Sequence, residues 1–353
     1  MDGDEWVLSE DDAPAVTLIV PVLNEASDMA ACLDAIRAQR YPKERLEVVV
    51  VDGQSTDATV DIVRRAMAED SRLRLLDNPE RGMAHGLNVG IHAAGSEFVG
   101  AVSGHCALPD SYVRDMVGAL ERTGAWAVGG RIVRRGRSPL QRAIAAATSS
   151  PIGVGDSAHN YAASACWVET VFPGFWRRAV FDHVGLFDPT MIANEDNELS
   201  LRIRKAGGRI WYDPSIEIEY VPRDGLGPLF AQYRLYAKGK MCVLRKHGGG
   251  LRWRHGVPGA FVAVVVAGAV TGVRAPRLRV AWVSVIGAYA ALVVIAGLRL
   301  SDRDVPWWQV ARALVTLHVA YGIGTWQGLL QWPFVPVAAP AIRPFTDQRR
   351  MSS

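Results

Sequence analysis

Residues 258–273 and 280–298 contain no charged side chain. Few folds tolerate such runs, because a helix that is apolar all round needs protein or lipid on every side. Spanning the hydrocarbon of a bilayer takes about 20 helical residues, with about 17 as the lower limit. The second run meets that length; the first falls short of it and reads as a short span or a re-entrant segment. A third stretch, residues 305–330, carries only Arg312 and His318 as potentially charged groups, and it qualifies if Arg312 snorkels near one end. Trp282, Trp307, Trp308, Trp326 and Trp332 stand where interfacial aromatics belong. Two or three membrane helices are expected within residues 256–335, with a C-terminal tail at 336–353. Lys238, Lys240, Arg245, Lys246, Arg252 and Arg254 precede the first run, as a cytoplasmic flank beside anionic lipid would. Arg274, Arg277 and Arg279 separate the first two runs and make the opposite demand if the first one spans.

These runs hide inside ordinary averages: 353 residues, 49% hydrophobic and 21% charged, with a mean hydropathy of +0.08. That composition excludes a disordered chain, and 34 Gly without a triplet period exclude a collagen-like one. A net charge of +3 is too small for a nucleic-acid face. Cys32, Cys106, Cys166 and Cys242 are widely spaced, which predicts free thiols in a reducing compartment and neither zinc nor disulfides. Residues 1–15 form an acidic tail that lacks the basic start and apolar core of a signal peptide, so residues 16–250 are expected to stay cytoplasmic.

From residue 16 to about 103, strand-like and helix-like stretches alternate. Val16-Thr-Leu-Ile-Val-Pro-Val22 and Leu46-Glu-Val-Val-Val-Val51 are short apolar runs rich in β-branched residues and predict buried strands. A helix begins at Ser27 or Asp28, with Met29, Leu33 and Ile36 on one face, and another is capped by Thr56 or Asp57. Residues 73–76, 82–94 and 97–102 continue as strand, helix and strand. This alternation predicts an α/β fold with a mostly parallel sheet covered on both faces. Residues 110–247 are more mixed, with helices at 110–122, 177–184 and 195–206, a strand at 126–133, and a Gly/Ser/Ala-rich stretch at 145–165 expected to be mobile loop.

Acidic elements stand where strands end. Pro21-Val-Leu-Asn24-Glu25 follows the first strand and Asp52-Gly-Gln-Ser55-Thr56-Asp57 the second. Ligands of open α/β sheets bind outside the carboxyl ends of the strands, so these groups should face one crevice. No Gly-x-Gly-x-x-Gly phosphate loop occupies the first turn. Asp57 reads equally as a helix cap or a ligand contact, whereas Asp52 leans towards function. A third element, Asn194-Glu195-Asp196, opens a helix; Asp196 is in register with Leu199 and Ile203 and so points inward. A carboxylate at the inner edge of a cleft, kept ionised by the helix terminus, is a credible general base.

Together these motifs, with Arg81-Gly82, Asn88-x-Gly90 and Glu195-Asp196, resemble the family 2 inverting glycosyltransferases. Asp196-Asn-Glu198-Leu-Ser-Leu-Arg202, Gly207-Gly208, Tyr220-x-Pro222-Arg223 and Gln232-Tyr233 resemble its succinoglycan-type (ExoA-like) bacterial exopolysaccharide branch. The resemblance implies a GT-A fold and a nucleotide-diphosphate sugar donor, with a UDP-sugar expected. By it, Glu25, Asp52 and Asp57 contact the nucleotide, Arg81 and Asn88 line its site, and Asp196 takes the proton of the acceptor hydroxyl. It further implies a lipid-linked saccharide acceptor at a bacterial cytoplasmic membrane.

The chain departs from the family where a divalent cation, Mn²⁺ or Mg²⁺, is normally held. Ser103-Gly104-His105 stands where the family places Asp-x-Asp, or Asp-x-His in this branch, so Ser103 replaces the first aspartate and His105 keeps the last ligand position. Arg223 and Arg234 are candidates for the diphosphate, although the family's Gln-x-x-Arg-Trp is degraded around Gln232. Glu195 and Trp176, the latter in Phe172-Pro-Gly-Phe-Trp-Arg177, are candidates on the acceptor side. A processive polysaccharide synthase, or a nucleotide-sugar-binding scaffold that lost turnover with Ser103, are the competing readings.

Overall fold

The computed structural model describes residues 13–155, 162–250, 252–272 and 275–331. Most of the acidic tail, Arg274, Trp332 and the C-terminal tail at 336–353 lie outside the described residues. In chain order the first half comprises β1 (Val16–Val22), α1 (Met29–Arg37), β2 (Leu46–Asp52), α2 (Thr59–Glu69), β3 (Leu73–Asp77), α3 (Met83–Ala93), β4 (Phe98–Ala101), β5 (Cys106–Ala107) and α4 (Tyr112–Thr123). There follow β6 (Ala127–Arg134), α5 (Pro139–Thr148), α6 (Pro151–Val154), β7 (Cys166–Val168), β8 (Phe175–Arg177), α7 (Val180–Val184), α8 (Glu195–Lys205), β9 (Ile210–Tyr220) and α9 (Leu226–His247). The chain closes with α10 (Val257–Gly272), α11 (Pro276–Leu300) and α12 (Trp307–Leu330).

Side-chain alternation along the strands builds two cores. Leu18, Val20, Val48 and Val50 pack towards α1, α2 and α4, while Ile19, Val49 and Val51 pack towards α3, α7 and α8. The result is a helix-covered sheet, ordered β3-β2-β1-β4-β8-β6-β9-β5 with β7 beside β9. Strands β1 to β4 pair in parallel, as the alternation predicts. Beyond them the sheet is mixed: β8 runs antiparallel to both β4 and β6, and β5 and β7 run antiparallel to β9. A three-residue strand carries too little periodicity to be read from sequence, and β8 is what reverses the direction.

The stretch expected as mobile loop at 145–165 is partly helical. Ser138 and Gln141 form a reciprocal capping box with Pro139 in the first turn, and Ala143, Ile144 and Ala147 are buried against α9, α11 and α12. Small side chains here permit close helix packing. Residues 156–161 lie outside the described residues.

Among the described residues, two helices are long and apolar enough to cross a membrane, Trp253–Gly272 and Pro276–Leu300, with mean hydropathies of 1.6 and 2.2. Val266, Val270, Val280, Val283 and Leu298 on them are exposed. The third expected segment, α12, is built differently. Its Val310, Leu314, Leu317 and Ala320 are buried, and it lies against α9, α5, α10 and α11. The boundary expected near residue 250 is therefore bridged by continuous packing. Two of the expected interfacial tryptophans are cross-braces: Trp282 Nε1 donates to the Val265 carbonyl and Trp326 Nε1 to the Gly259 carbonyl. Two of the expected lipid-facing lysines are also engaged internally, since Lys246 pairs with buried Asp188 and Lys240 donates to Asn197.

Helix α12 can approach α9 because of its glycines. A Cβ on Gly324 would lie 2.3 Å from the Arg234 carbonyl oxygen and 2.9 Å from Ala237, and one on Gly328 2.7 Å from Met241. We predict that Gly324→Val lowers stability by about 1–3 kcal/mol through overpacking, read as a lower unfolding midpoint in detergent. Gly287→Val, where a Cβ meets nothing within 4 Å, should leave the midpoint unchanged.

Candidate active site

Parallel register brings the acidic loops to one edge. Val22 at the end of β1 lies opposite Asp52 at the end of β2, and Asp52 lies opposite Asp77 at the end of β3. Short polar side chains then tie loop to loop. The Asn24 main-chain N–H donates to Ser55 Oγ (2.9 Å), and Asn24 Oδ1 accepts from the Thr56 main chain (2.8 Å). Asp57 accepts from the main chains of Ala26 and Thr59, and its bonds to Thr59 hold its carboxyl below the usual range. Buried Asp52 accepts from the main-chain N–H groups of Gln54 and Ser55. Gln54, which sequence reasoning passed over, bridges to Asp77. Among the described residues, left-handed backbone at non-glycine positions occurs at Asn24 (φ 56°), Gln54 (φ 67°), Arg81 (φ 62°) and Asn194 (φ 61°). All four lie in the motif loops, where such conformations mark functional constraint.

Ser103, His105 and Glu25 meet below the end of β4. His105 Nδ1 lies 3.0 Å from Glu25 Oε1, and Ser103 Oγ lies 3.2 Å from Nε2. A Cβ on Gly104 would lie 3.2 Å from Glu25, so this residue is held small. One imidazole, one carboxylate and a hydroxyl do not fit a resident divalent cation. No group of three His, Cys, Asp or Glu converges among the described residues.

The second half of the site is assembled on α8 and α9. Gly239 of α9 lets the chain ahead of α8 seat tightly, since a Cβ there would lie 2.4 Å from the Ala193 carbonyl oxygen. Asn194 Nδ2 then donates to the Tyr236 carbonyl at 2.8 Å. This places Glu195 and Asp196 against α9. The Asn197 Nδ2 donates to Asp196 Oδ1 (3.3 Å), and Lys240 Nζ donates to Asn197 Oδ1 (2.5 Å). Burial pushes the Glu195 carboxyl up to about 7, and the Asp196 charge adds to that shift. Asp196 is raised as well, by burial, against the pull of Asn197 and Lys240. Burial thus works against the helix terminus, which the sequence reading expects to keep Asp196 ionised. Desolvation outweighs it and makes the carboxylate a stronger base.

The position of α8 is set by a fully buried ion pair. Arg202 donates to both oxygens of Glu198 (2.7–3.0 Å) and to the carbonyls of Val184, Gly185 and Leu186. His247 at the end of α9 lies 2.8 Å from the same Glu198 carboxylate.

A cavity of about 90 Å³ is lined in part by Phe172, Tyr220, Arg223, Gln232 and Tyr236. Two of its lining residues adjoin motif groups: Tyr220 stands edge-on to His105, 5.0 Å between ring centroids, and the Asp196 charge acts on Tyr236. A larger hollow, about 880 Å³, opens at the amino ends of β1 and β2 among Arg37, Arg72 and Arg74; these pair with Glu69, Asp70 and Glu47 and hold none of the motif residues. Trp176 and Asn88 are engaged elsewhere. Trp176 is 5% exposed and packs edge-on against Phe181 and Phe187, so it is a core residue and Phe172, 40% exposed, is the accessible aromatic. Asn88 uses both ends of its amide on the Phe187 main chain. Arg234, one position off the family spacing, does not share the cavity with Gln232.

Comparison with known proteins places this geometry. The family model described as glycosyl transferase family 2 matches residues 17–169. The succinoglycan biosynthesis protein ExoA of Rhizobium meliloti (strain 1021) is 34% identical over 321 residues, 89% of this chain and 95% of that protein. The chain belongs to glycosyltransferase family 2. Within the family it is ExoA-like. A second relative is the dolichyl N-acetyl-alpha-D-glucosaminyl phosphate 3-beta-D-2,3-diacetamido-2,3-dideoxy-beta-D-glucuronosyltransferase of Methanococcus voltae, 23% identical over 90% of this chain and 97% of its own. Among solved structures, the mannosyltransferase PcManGT from Pyrobaculum calidifontis, in complex with GDP-Man and Mn²⁺, aligns with a TM-score of 0.65 at 22% identity, covering 92% of this chain and 90% of that one. This family 2 enzyme thus has a GT-A-like fold, with its motif residues at the carboxyl edge of the sheet.

For this glycosyltransferase, Arg202→Leu should strand Glu198 without its partner and cost about 3–5 kcal/mol. Thermal unfolding followed by circular dichroism checks it; an unchanged midpoint would show that the ion pair does not hold α8.

Proposed function

We propose that this glycosyltransferase inverts configuration, moving a sugar from a nucleotide-diphosphate sugar, a UDP-sugar first among candidates, to a lipid-linked saccharide acceptor in exopolysaccharide or cell-envelope glycan synthesis. The observation that carries the reading is the desolvated Asp196 at the head of α8, joined through Asn197 to Lys240 of α9. In the reaction the acceptor hydroxyl oxygen bonds to the anomeric carbon as its proton passes to Asp196. The bond from that carbon to the diphosphate oxygen breaks on the opposite face, and the nucleoside diphosphate leaves. A positioned base within hydrogen-bond reach accelerates such a step about 10²–10⁴-fold.

The loop network of Asn24, Asp52 and Asp57 supports a nucleotide on the Glu25 side, and Arg81 and Arg223 supply positive charge for the diphosphate. Glu195, Phe172 and Gln232 face the acceptor. No step is assigned to a divalent cation. The acceptors named for the Methanococcus relative and the two apolar helices support a lipid-linked acceptor and a catalytic part held at a cytoplasmic membrane surface. Among the described residues two helices qualify as spans, which favours single addition over processive synthesis.

A screen of UDP-, GDP- and dTDP-sugars for transfer to lipid acceptors in membranes, with and without Mn²⁺, identifies the donor. With that donor, Asp196→Asn should lower turnover by at least about 10²-fold while leaving donor affinity unchanged. Turnover surviving Asp196→Asn overturns the assignment, and binding without any transfer in the unsubstituted protein supports the scaffold reading instead. Calorimetric titration with Mn²⁺ alone should show no saturable binding up to about 1 mM, because a lone imidazole–carboxylate pair makes a poor cage. Tight binding would overturn the site's description.

A further inference from the structure

Asp196 is held from a second helix, through an amide whose orientation is dictated by its neighbours. Lys240 Nζ has only donors to offer, so the Asn197 side chain must turn its oxygen to Lys240 (2.5 Å). That leaves the Asn197 nitrogen facing Asp196 Oδ1 (3.3 Å). A cation on the amide oxygen polarises the amide N–H and strengthens what it donates. We propose that Lys240 and Asn197 form a positioning relay that aims the Asp196 carboxylate and keeps it ionised for proton removal. The relay rests on the reading of Asp196 as the base.

The charges around the relay come from several elements. Glu195 and Arg204 on α8, Glu169 after β7, Tyr236 on α9 and His255 ahead of α10 all act on Asp196 or Lys240. Burial raises the Asp196 carboxyl, and what works against it is the main-chain and side-chain N–H of Asn197 together with the Lys240 charge. Lys240 is itself pulled down by burial and by Arg204 and supported by Asp196 and Glu169. Arg252 engages Glu169 at 3.5 Å, and this leaves Lys240 as the cation joined to Asp196 through Asn197. Removing that cation raises the Asp196 pKa, so the acidic limb of the pH–rate profile moves to higher pH.

The test uses full-length protein in membranes with the nucleotide sugar found active in the screen above. In Lys240→Met the acidic limb of kcat should rise by about one pH unit or more, with about tenfold less activity below the limb and recovery on the alkaline side. Lys240→Arg should restore most of the wild-type profile, and Asn197→Leu, which keeps the charge and breaks the bridge, should shift the limb by a smaller amount. A uniform fall across all pH values, or equal damage from Lys240→Met and Lys240→Arg, overturns the relay. Infrared difference titration of the Asp196 carboxyl, referenced to Asp196→Asn, needs no turnover. A raised midpoint in Lys240→Met or Asn197→Leu supports the relay, and an unmoved one overturns it. Turnover persisting in Asp196→Asn overturns the base reading on its own, and the infrared titration still decides the relay.

Discussion

Glu198 and Arg202 face each other with no exposed surface, and a pair removed from water in this way persists only where its donors and lone pairs are answered. Here three carbonyls from residues 184–186 and an imidazole from the end of α9 answer them. Because a guanidinium offers its donors in a fixed plane, these partners converge in one arrangement. Helix α8, the loop ahead of it and α9 are thereby locked together. The two acidic residues at the head of α8 inherit their place from that lock, half a turn to one turn before Glu198.

The opposite wall is held by different physics. No ion pair joins the loops after β1 and β2 among the described residues; side-chain oxygens of Asn24, Ser55 and Asp57 accept or share main-chain N–H groups from the neighbouring loop. Left-handed backbone at Asn24, Gln54 and Arg81 costs of order 1–3 kcal/mol at each position. The surrounding hydrogen bonds offset it. One wall is thus fixed by charge in a dry interior and the other by strained loops at the surface, while Glu195 and Asp196 at the head of α8 keep partial exposure.

Much of this was legible in residue order. Continuous β-branched runs such as Leu46–Asp52 can only be strands covered on both faces, and the Asn24, Asp52 and Asp57 motifs fell where strand ends put them. The spacing of Glu198 and Arg202, one helical turn apart, was visible too. What escaped was set by distant packing. Trp176 read as an acceptor-side candidate in Phe172-Pro-Gly-Phe-Trp-Arg177, yet its strand is inserted between β4 and β6. The alanines of α5 looked like linker until α12 supplied a surface to bury them. Lys240 and Lys246 read as a basic flank because nothing local shows that Asn197 and Asp188, more than 40 residues away, will receive them.

Helix α9 has one face towards Asp196 and the other against the glycines of α12, which in turn packs on the two apolar spans. Helices α9 and α12 thus join the carboxylate proposed as the base to the two apolar helices by direct packing. With those spans in a bilayer, the carboxylate stands at one height above the headgroups, as on a mounted gauge. An acceptor anchored by its own lipid presents hydroxyls at heights fixed by the number of sugars it already carries. The fold would then select acceptors by length as well as by shape, and a product one sugar longer would lift its new terminus past the point of reaction.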